Sequence, residues 1–96
     1  MNAANWTIRE QLSGQLEIAK NMKRQQKYDQ ALRAVNKILF QDPNFSEALY
    51  LKAQILWEGF KNAEAAKRSL SLLTKSIPKT EKLHCWAKSY LKEIPR

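Results

Sequence analysis

The stretch YDQALRAVNKILFQDPN, residues 28–44, contains the clearest secondary-structure signal of the chain. Its apolar side chains recur at steps of three and four, which is the α-helical period, at Ala31, Leu32, Val35, Ile38 and Leu39. Proline disfavours helical backbone in the residue before it, so the helix ends at Asp42-Pro43-Asn44. This stretch predicts an amphipathic helix with a defined C-terminal end.

The pattern of this helix returns along the chain at a spacing of 34 residues. Ala19, Ala53 and Ala87 are 34 residues apart, and the same spacing relates Ala31 to Ala65, Ile38 to Leu72 and Leu39 to Leu73. Small residues at a fixed register have a physical reason, because two helices approach closely only where side chains are short. A fixed period of this length is typical of repeat proteins, and we interpret each repeat as a pair of antiparallel helices.

Helical periodicity and boundary signals divide the chain into five helices. A capping-box pattern, Thr7-Ile8-Arg9-Glu10, starts the first helix, which runs to about Gln25. Gly14 weakens a helix by up to about 1 kcal/mol, so Ser13 is an alternative start.

The later helices have boundary signals of their own. The third covers about residues 46–58 and ends at Gly59 as a left-handed C-cap, and the fourth covers about residues 62–75. Thr80 caps a fifth helix that ends before Pro95. Five helices with short connections leave no room for a sheet, so the sequence predicts an all-α fold.

Composition bounds the class of protein. The 96 residues carry 17 Lys and Arg against 9 Asp and Glu, a net charge of +8, and most of the excess lies in the second half. One cysteine excludes an intramolecular disulfide framework. No apolar run approaches the length of a membrane span, and no signal peptide is visible. We expect one domain, residues 1–96, in a soluble cytoplasmic protein without a membrane partner.

The repeats resemble the tetratricopeptide repeat (TPR) family. The residues that carry the resemblance are Ile18-Ala19, Met22, Tyr28-Asp29-Gln30-Ala31, Val35, Ile38 and Asp42-Pro43-Asn44 in the first repeat, Leu49, Ala53, Leu56, Gly59, Ala65 and Leu72 in the second, and Leu83, Trp86, Ala87 and Tyr90 in the third unit. The repeats are residues 12–45 and 46–79, and a terminal helix covers 80–94. Lys52 and Ser69 depart from the family pattern, which buries larger apolar groups there.

This resemblance implies a right-handed superhelix whose concave groove is lined by the first helix of each repeat and binds peptides or whole partners without chemistry. By register, the groove-facing residues are Glu17, Lys20, Lys23, Arg24, Tyr50, Leu51, Gln54, Trp57, His84, Cys85, Lys88 and Leu91. Tyr50, Gln54 and Trp57 also form one stripe of a helix that is apolar nearly all round. The alternative is that Tyr50 and Trp57 are core aromatics. The variant Trp57→Ala distinguishes the two interpretations: it should weaken partner binding and stay folded if Trp57 lies in the groove, and unfold if Trp57 lies in the core.

The resemblance also bears on the partner. Some members bind acidic chaperone tails through a clamp of Lys and Asn, but here Lys20 and Leu51 occupy the Asn positions, which argues against a chaperone-tail adaptor. The basic residues around the aromatic stripe still favour an acidic segment.

The terminal helix lacks a second helix to pack against. It carries the apolar residues Leu83, Trp86 and Tyr90, for which the sequence leaves three alternatives open. They fold back on the core, they form a homodimer interface, or the chain is a fragment of a longer repeat array.

Candidate chemistry is sparse. His84 and Cys85 are the only residues of their types, and neighbours in a helix do not face each other, so we predict no catalytic, metal or cofactor site. We predict a non-catalytic protein–protein interaction module, serving as scaffold, adaptor or partner-specific chaperone. Nucleic-acid binding is the alternative, because the +8 charge accompanies three Trp and three Tyr.

Overall fold

The computed structural model describes residues 8–95 and shows five α-helices and no strand in that range. They are α1 (Ile8–Arg24), α2 (Tyr28–Gln41), α3 (Ser46–Glu58), α4 (Ala63–Ser76) and α5 (Lys82–Glu93). The predicted all-α fold is confirmed. None of these helices has the length and apolar character that crossing a membrane requires, as far as the described residues go.

The helix boundaries follow the sequence signals with three exceptions. The helix α1 continues through Gly14, so Ser13 does not start it, while the capping residue predicted at Thr7 lies outside the described residues. The start of α4 agrees with the sequence, and Asn62 caps it, since its Oδ1 accepts a hydrogen bond from the Ala65 N–H at 3.1 Å. The N-cap of α5 is Glu81 rather than Thr80.

The third exception is Gly59, which is not left-handed. Its φ of −88° and ψ of −47° continue the right-handed turn of α3, and the left-handed residue of this connection is Lys61, with φ 54°. Gly59 is required for space instead, because a Cβ placed on it would lie 2.8 Å from the Cβ of Tyr28. The glycine therefore lets the start of α2 approach the end of α3.

Successive helices pack against one another because their connections are short. The four connections are three to five residues long, which makes neighbouring helices antiparallel. Contacts run from each helix to the next and also join α1 to α3 and α3 to α5. The helices α1, α3 and α5 therefore lie side by side, in a body of 49 × 32 × 19 Å.

Two apolar clusters form the core. The first is made by α1, α2 and α3, with Leu12, Leu16, Ala19, Ala31, Val35, Ile38, Phe45, Ala48, Leu51 and Ile55. The second is made by α3, α4 and α5, with Leu49, Ala53, Leu56, Ala66, Leu70, Leu73, Ala87 and Ile94. Leu32 and Leu39 of α2 pack against both clusters, so the core is continuous. The helix α3 contributes to both, which explains why it is apolar nearly all round.

Candidate partner-binding groove

A groove runs across α1, α3 and α5 and encloses about 280 Å³. It is lined by Lys20, Lys23 and Arg24 of α1, Glu47, Tyr50, Leu51 and Gln54 of α3, and Leu83 and Trp86 of α5. We call this surface the concave groove. It exists because the three helices lie side by side, so that each presents one face to the same side of the molecule.

The wall formed by α1 is cationic, but much of its charge is neutralised. Lys20 Nζ lies 3.3 Å from a carboxylate oxygen of Glu17, and Lys23 Nζ lies 3.0 Å from Glu58 Oε1. Arg24 donates a hydrogen bond of 2.6 Å to the neutral Oδ1 of Asn21. Within the described residues Arg24 has no carboxylate in ion-pair distance, so it carries the uncompensated charge of this wall.

Two tyrosines and a carboxylate connect the groove-lining residues Tyr50 and Lys23. The rings of Tyr50 and Tyr90 meet at 5.9 Å between centroids with an interplanar angle of 57°, a favourable tilted geometry. The Tyr90 hydroxyl donates to Glu58 Oε2 at 3.3 Å, and the other oxygen of this carboxylate pairs with Lys23. Glu58, on α3, thus connects α1 with α5 through these two contacts.

The environment of these tyrosines suppresses their ionisation. Burial raises the pKa of Tyr90 well above its ordinary value, and the charge of Glu58 together with its hydrogen bond raises it further. Burial likewise raises the pKa of Tyr50, followed by the charges of Glu93 and Glu58. Both phenols are therefore neutral at physiological pH, and the proton of Tyr90 is donated to Glu58 in a hydrogen bond.

The wall formed by α5 is apolar. Leu83 is half-buried, whereas Trp86 is 56% exposed and stands at the edge of the groove. An exposed indole opposite an arginine gives the groove one apolar and one cationic side. Tyr and Trp are the side chains that most often dominate binding energy at interfaces.

The structure brings six of the predicted groove residues together and places the others elsewhere. The six are Lys20, Lys23, Arg24, Tyr50, Leu51 and Gln54. Trp57 is half-buried against the second core cluster, with Lys61 Nζ 5.1 Å from its ring centroid. His84 is buried and 5% exposed, and Glu17 contributes through its pair with Lys20. Lys88 and Leu91 line a separate groove between α4 and α5.

The residues predicted for self-association are also divided. Leu83 and Trp86 line the concave groove, whereas Tyr90 is half-buried and hydrogen-bonded to Glu58. Two of the three therefore pack back against the core, and only Trp86 is largely exposed.

Sequence reasoning missed Glu47 and Glu58 as members of the site. Glu47 lines the groove, and Glu58, in the last turn of α3, pairs with the lining residue Lys23. For Glu58 a signal existed, since Glu58 and Arg24 are 34 residues apart and the register already placed Arg24 in the groove.

No group of three or more His, Cys, Asp or Glu side chains in residues 8–95 is arranged to hold a metal ion. His84 is buried while Cys85 is exposed, so these neighbours lie on different faces of α5.

Comparison of the chain with protein-family models, with curated proteins and with solved structures found no match. The resemblance to TPR proteins accordingly stays a prediction.

Proposed function

We propose that this chain is a non-catalytic interaction module that holds a short segment of a partner protein in the concave groove. The observation that carries the proposal is the opposition of Trp86, an exposed indole on α5, to the uncompensated charge of Arg24 on α1. Between them lies a floor of partly buried aromatic and buried aliphatic side chains, such as Tyr50 and Leu51. Grooves of this kind bind segments that offer apolar side chains with a few placed polar groups.

The groove also defines the chemistry of the segment. Arg24 favours one carboxylate, since guanidinium and carboxylate form charge-assisted hydrogen bonds. The carboxylate of Glu47 in the same lining disfavours a second acidic group. Trp86 and Leu83, on the α5 side of the groove, favour an apolar or aromatic side chain. Because Lys20 and Lys23 already have carboxylate partners, the ligand is an apolar segment with one acidic residue rather than a polyacidic tail.

The test is a pull-down from native lysate at about 150 mM salt, with and without nuclease, with bound proteins identified by mass spectrometry. We expect a discrete protein that survives nuclease treatment and is lost with either Arg24→Glu or Trp86→Ala. Loss of every bound species on nuclease treatment would instead favour nucleic-acid binding, the alternative that the +8 charge raises.

Matched controls separate the groove from general surface effects. Lys75→Glu changes the net charge as Arg24→Glu does, at an exposed site that does not line the groove. Phe40→Ala removes an aromatic side chain that is 88% exposed on α2, as a counterpart to Trp86→Ala. Equal losses of the captured protein with a groove variant and its control would contradict the proposal.

A further inference from the structure

A second groove lies between α4 and α5 and encloses about 610 Å³. It is lined by Lys67 and Thr74 of α4, Lys88, Leu91 and Lys92 of α5, and Ile94 and Pro95 after it. We call it the α4–α5 groove. It shares no lining residue with the concave groove.

The charge of the α4–α5 groove is not neutralised. Across the part of the chain that the structure describes, none of Lys67, Lys88 and Lys92 has a carboxylate within ion-pair distance. The nearby acidic residue of α4, Glu64, is paired with Arg68 at 4.0 Å. The concave groove differs in this respect, because two of its three cations are paired. The stronger attraction for an acidic ligand therefore lies in the α4–α5 groove.

The remaining lining residues identify the class of ligand. No aromatic side chain lines this groove, so it offers no platform on which nucleic-acid bases could stack. Its large aliphatic residues are recessed, since Ile94 is 4% exposed and Leu91 is half-buried. Among the apolar lining residues only the small ring of Pro95 is exposed, which is too little apolar surface for insertion into a lipid surface. An occupant must instead bring its own apolar side chains into the groove.

We propose that the α4–α5 groove docks an acidic segment of a partner protein that also carries aliphatic side chains. The aliphatic groups contact Leu91 and Pro95, while carboxylates meet the three lysines. Lys88 and Lys92 are four residues apart on α5 and so lie on one face of the helix. A helical segment with Glu residues four apart matches that spacing. This inference does not rest on the function proposed for the concave groove.

The test measures binding of a fluorescein-labelled amphipathic peptide of Glu and Leu, by fluorescence anisotropy. A peptide with Gln in place of Glu, a short DNA duplex and phosphatidylserine vesicles are the comparison probes. We expect the Glu peptide to bind more tightly than every other probe. We further expect the triple variant Lys67→Glu, Lys88→Glu, Lys92→Glu to weaken its binding at least about tenfold, because three attractions become repulsions.

A matched variant keeps the net charge equal. Lys27→Glu, Lys75→Glu, Lys79→Glu also lowers the charge of +8 by six, at exposed positions outside both grooves. We expect this control to lose far less affinity for the Glu peptide. Equal losses in the two triple variants would overturn the proposal, because binding would then follow net charge alone.

Three other results would also overturn it. If the Gln peptide binds as tightly as the Glu peptide, the groove does not select an acidic segment. Tighter binding of DNA or vesicles would assign the lysines to nucleic acid or lipid. Loss of the Glu peptide with Arg24→Glu but not with the triple variant would move the ligand to the concave groove, a result that supports the function proposed there.

Discussion

The two glycines of the chain have opposite surroundings, and this contrast gives a prediction for single methyl groups. Gly14 lies inside α1 with nothing within 4 Å of an added Cβ, whereas a Cβ on Gly59 would lie 2.6 Å from Cδ1 of Tyr28. Gly14→Ala should stabilise the fold by about 0.5–1 kcal/mol, because glycine loses more backbone entropy than alanine in a helix. Gly59→Ala should destabilise it by about 1–3 kcal/mol through overpacking.

Urea unfolding of both variants against the parent chain measures these free energies. The two substitutions add the same methyl group, so each is the control for the other. A stabilised Gly59→Ala variant would mean that Tyr28 does not pack over Gly59 as the structure places it.

Among the helices, α3 was the most predictable and α5 the least. The bounds of α3, residues 46–58, are those that its apolar pattern and Gly59 predicted. The start of α5 was misplaced because a turn precedes it, in which the Glu81 N–H donates to the Pro78 carbonyl at 3.1 Å. Thr80 lies inside that turn, and its side chain type alone could not reveal this.

The attachment of α5 to α3 should depend on pH through Tyr90. Its pKa is raised, so above about pH 10 the unfolded chain loses this proton before the folded chain does. The folded state then binds more protons, and the free energy of unfolding falls as pH rises through this range. Below about pH 10 the phenol is neutral in both states, and its contribution is complete.

Urea unfolding of the parent chain and of Tyr90→Phe at about pH 8 and pH 11 tests this dependence. The variant should be less stable at the lower pH by about 0.5–1.5 kcal/mol, because it lacks the hydrogen bond to Glu58. From the lower to the higher pH, the free energy of unfolding should fall less for the variant than for the parent chain. Titration of the lysines lowers it equally in both chains. Equal losses would contradict the role of Tyr90.

Across the whole fold, the 34-residue register predicted only part of the groove lining. Trp57 is in register with Lys23, which lines the groove, yet Trp57 packs against the second core cluster. Lys20 and Gln54 are in register and both line the concave groove, whereas Lys88, the next position in the series, does not. The rotation of α5 is set by the packing of Ala87 and Ile94 into the second core cluster. That packing brings Trp86 to the groove and Lys88 to the opposite side, and a repeat period contains no information about it.

The same rotation bears on self-association. A stable interface buries about 800 Å² on each partner, centred on several apolar side chains. Of Leu83, Trp86 and Tyr90, only Trp86 is largely exposed, and the Tyr90 hydroxyl is bonded to Glu58 within the chain. We therefore expect sedimentation at micromolar concentration to give a monomer of 11.2 kDa.

A species of twice that mass that Trp86→Glu dissociates, and Phe40→Glu does not, would contradict this expectation and make the indole an interface between two copies. Because Trp86 also lines the concave groove, such a dimer would cover the site proposed for the partner segment. A monomer leaves that site open.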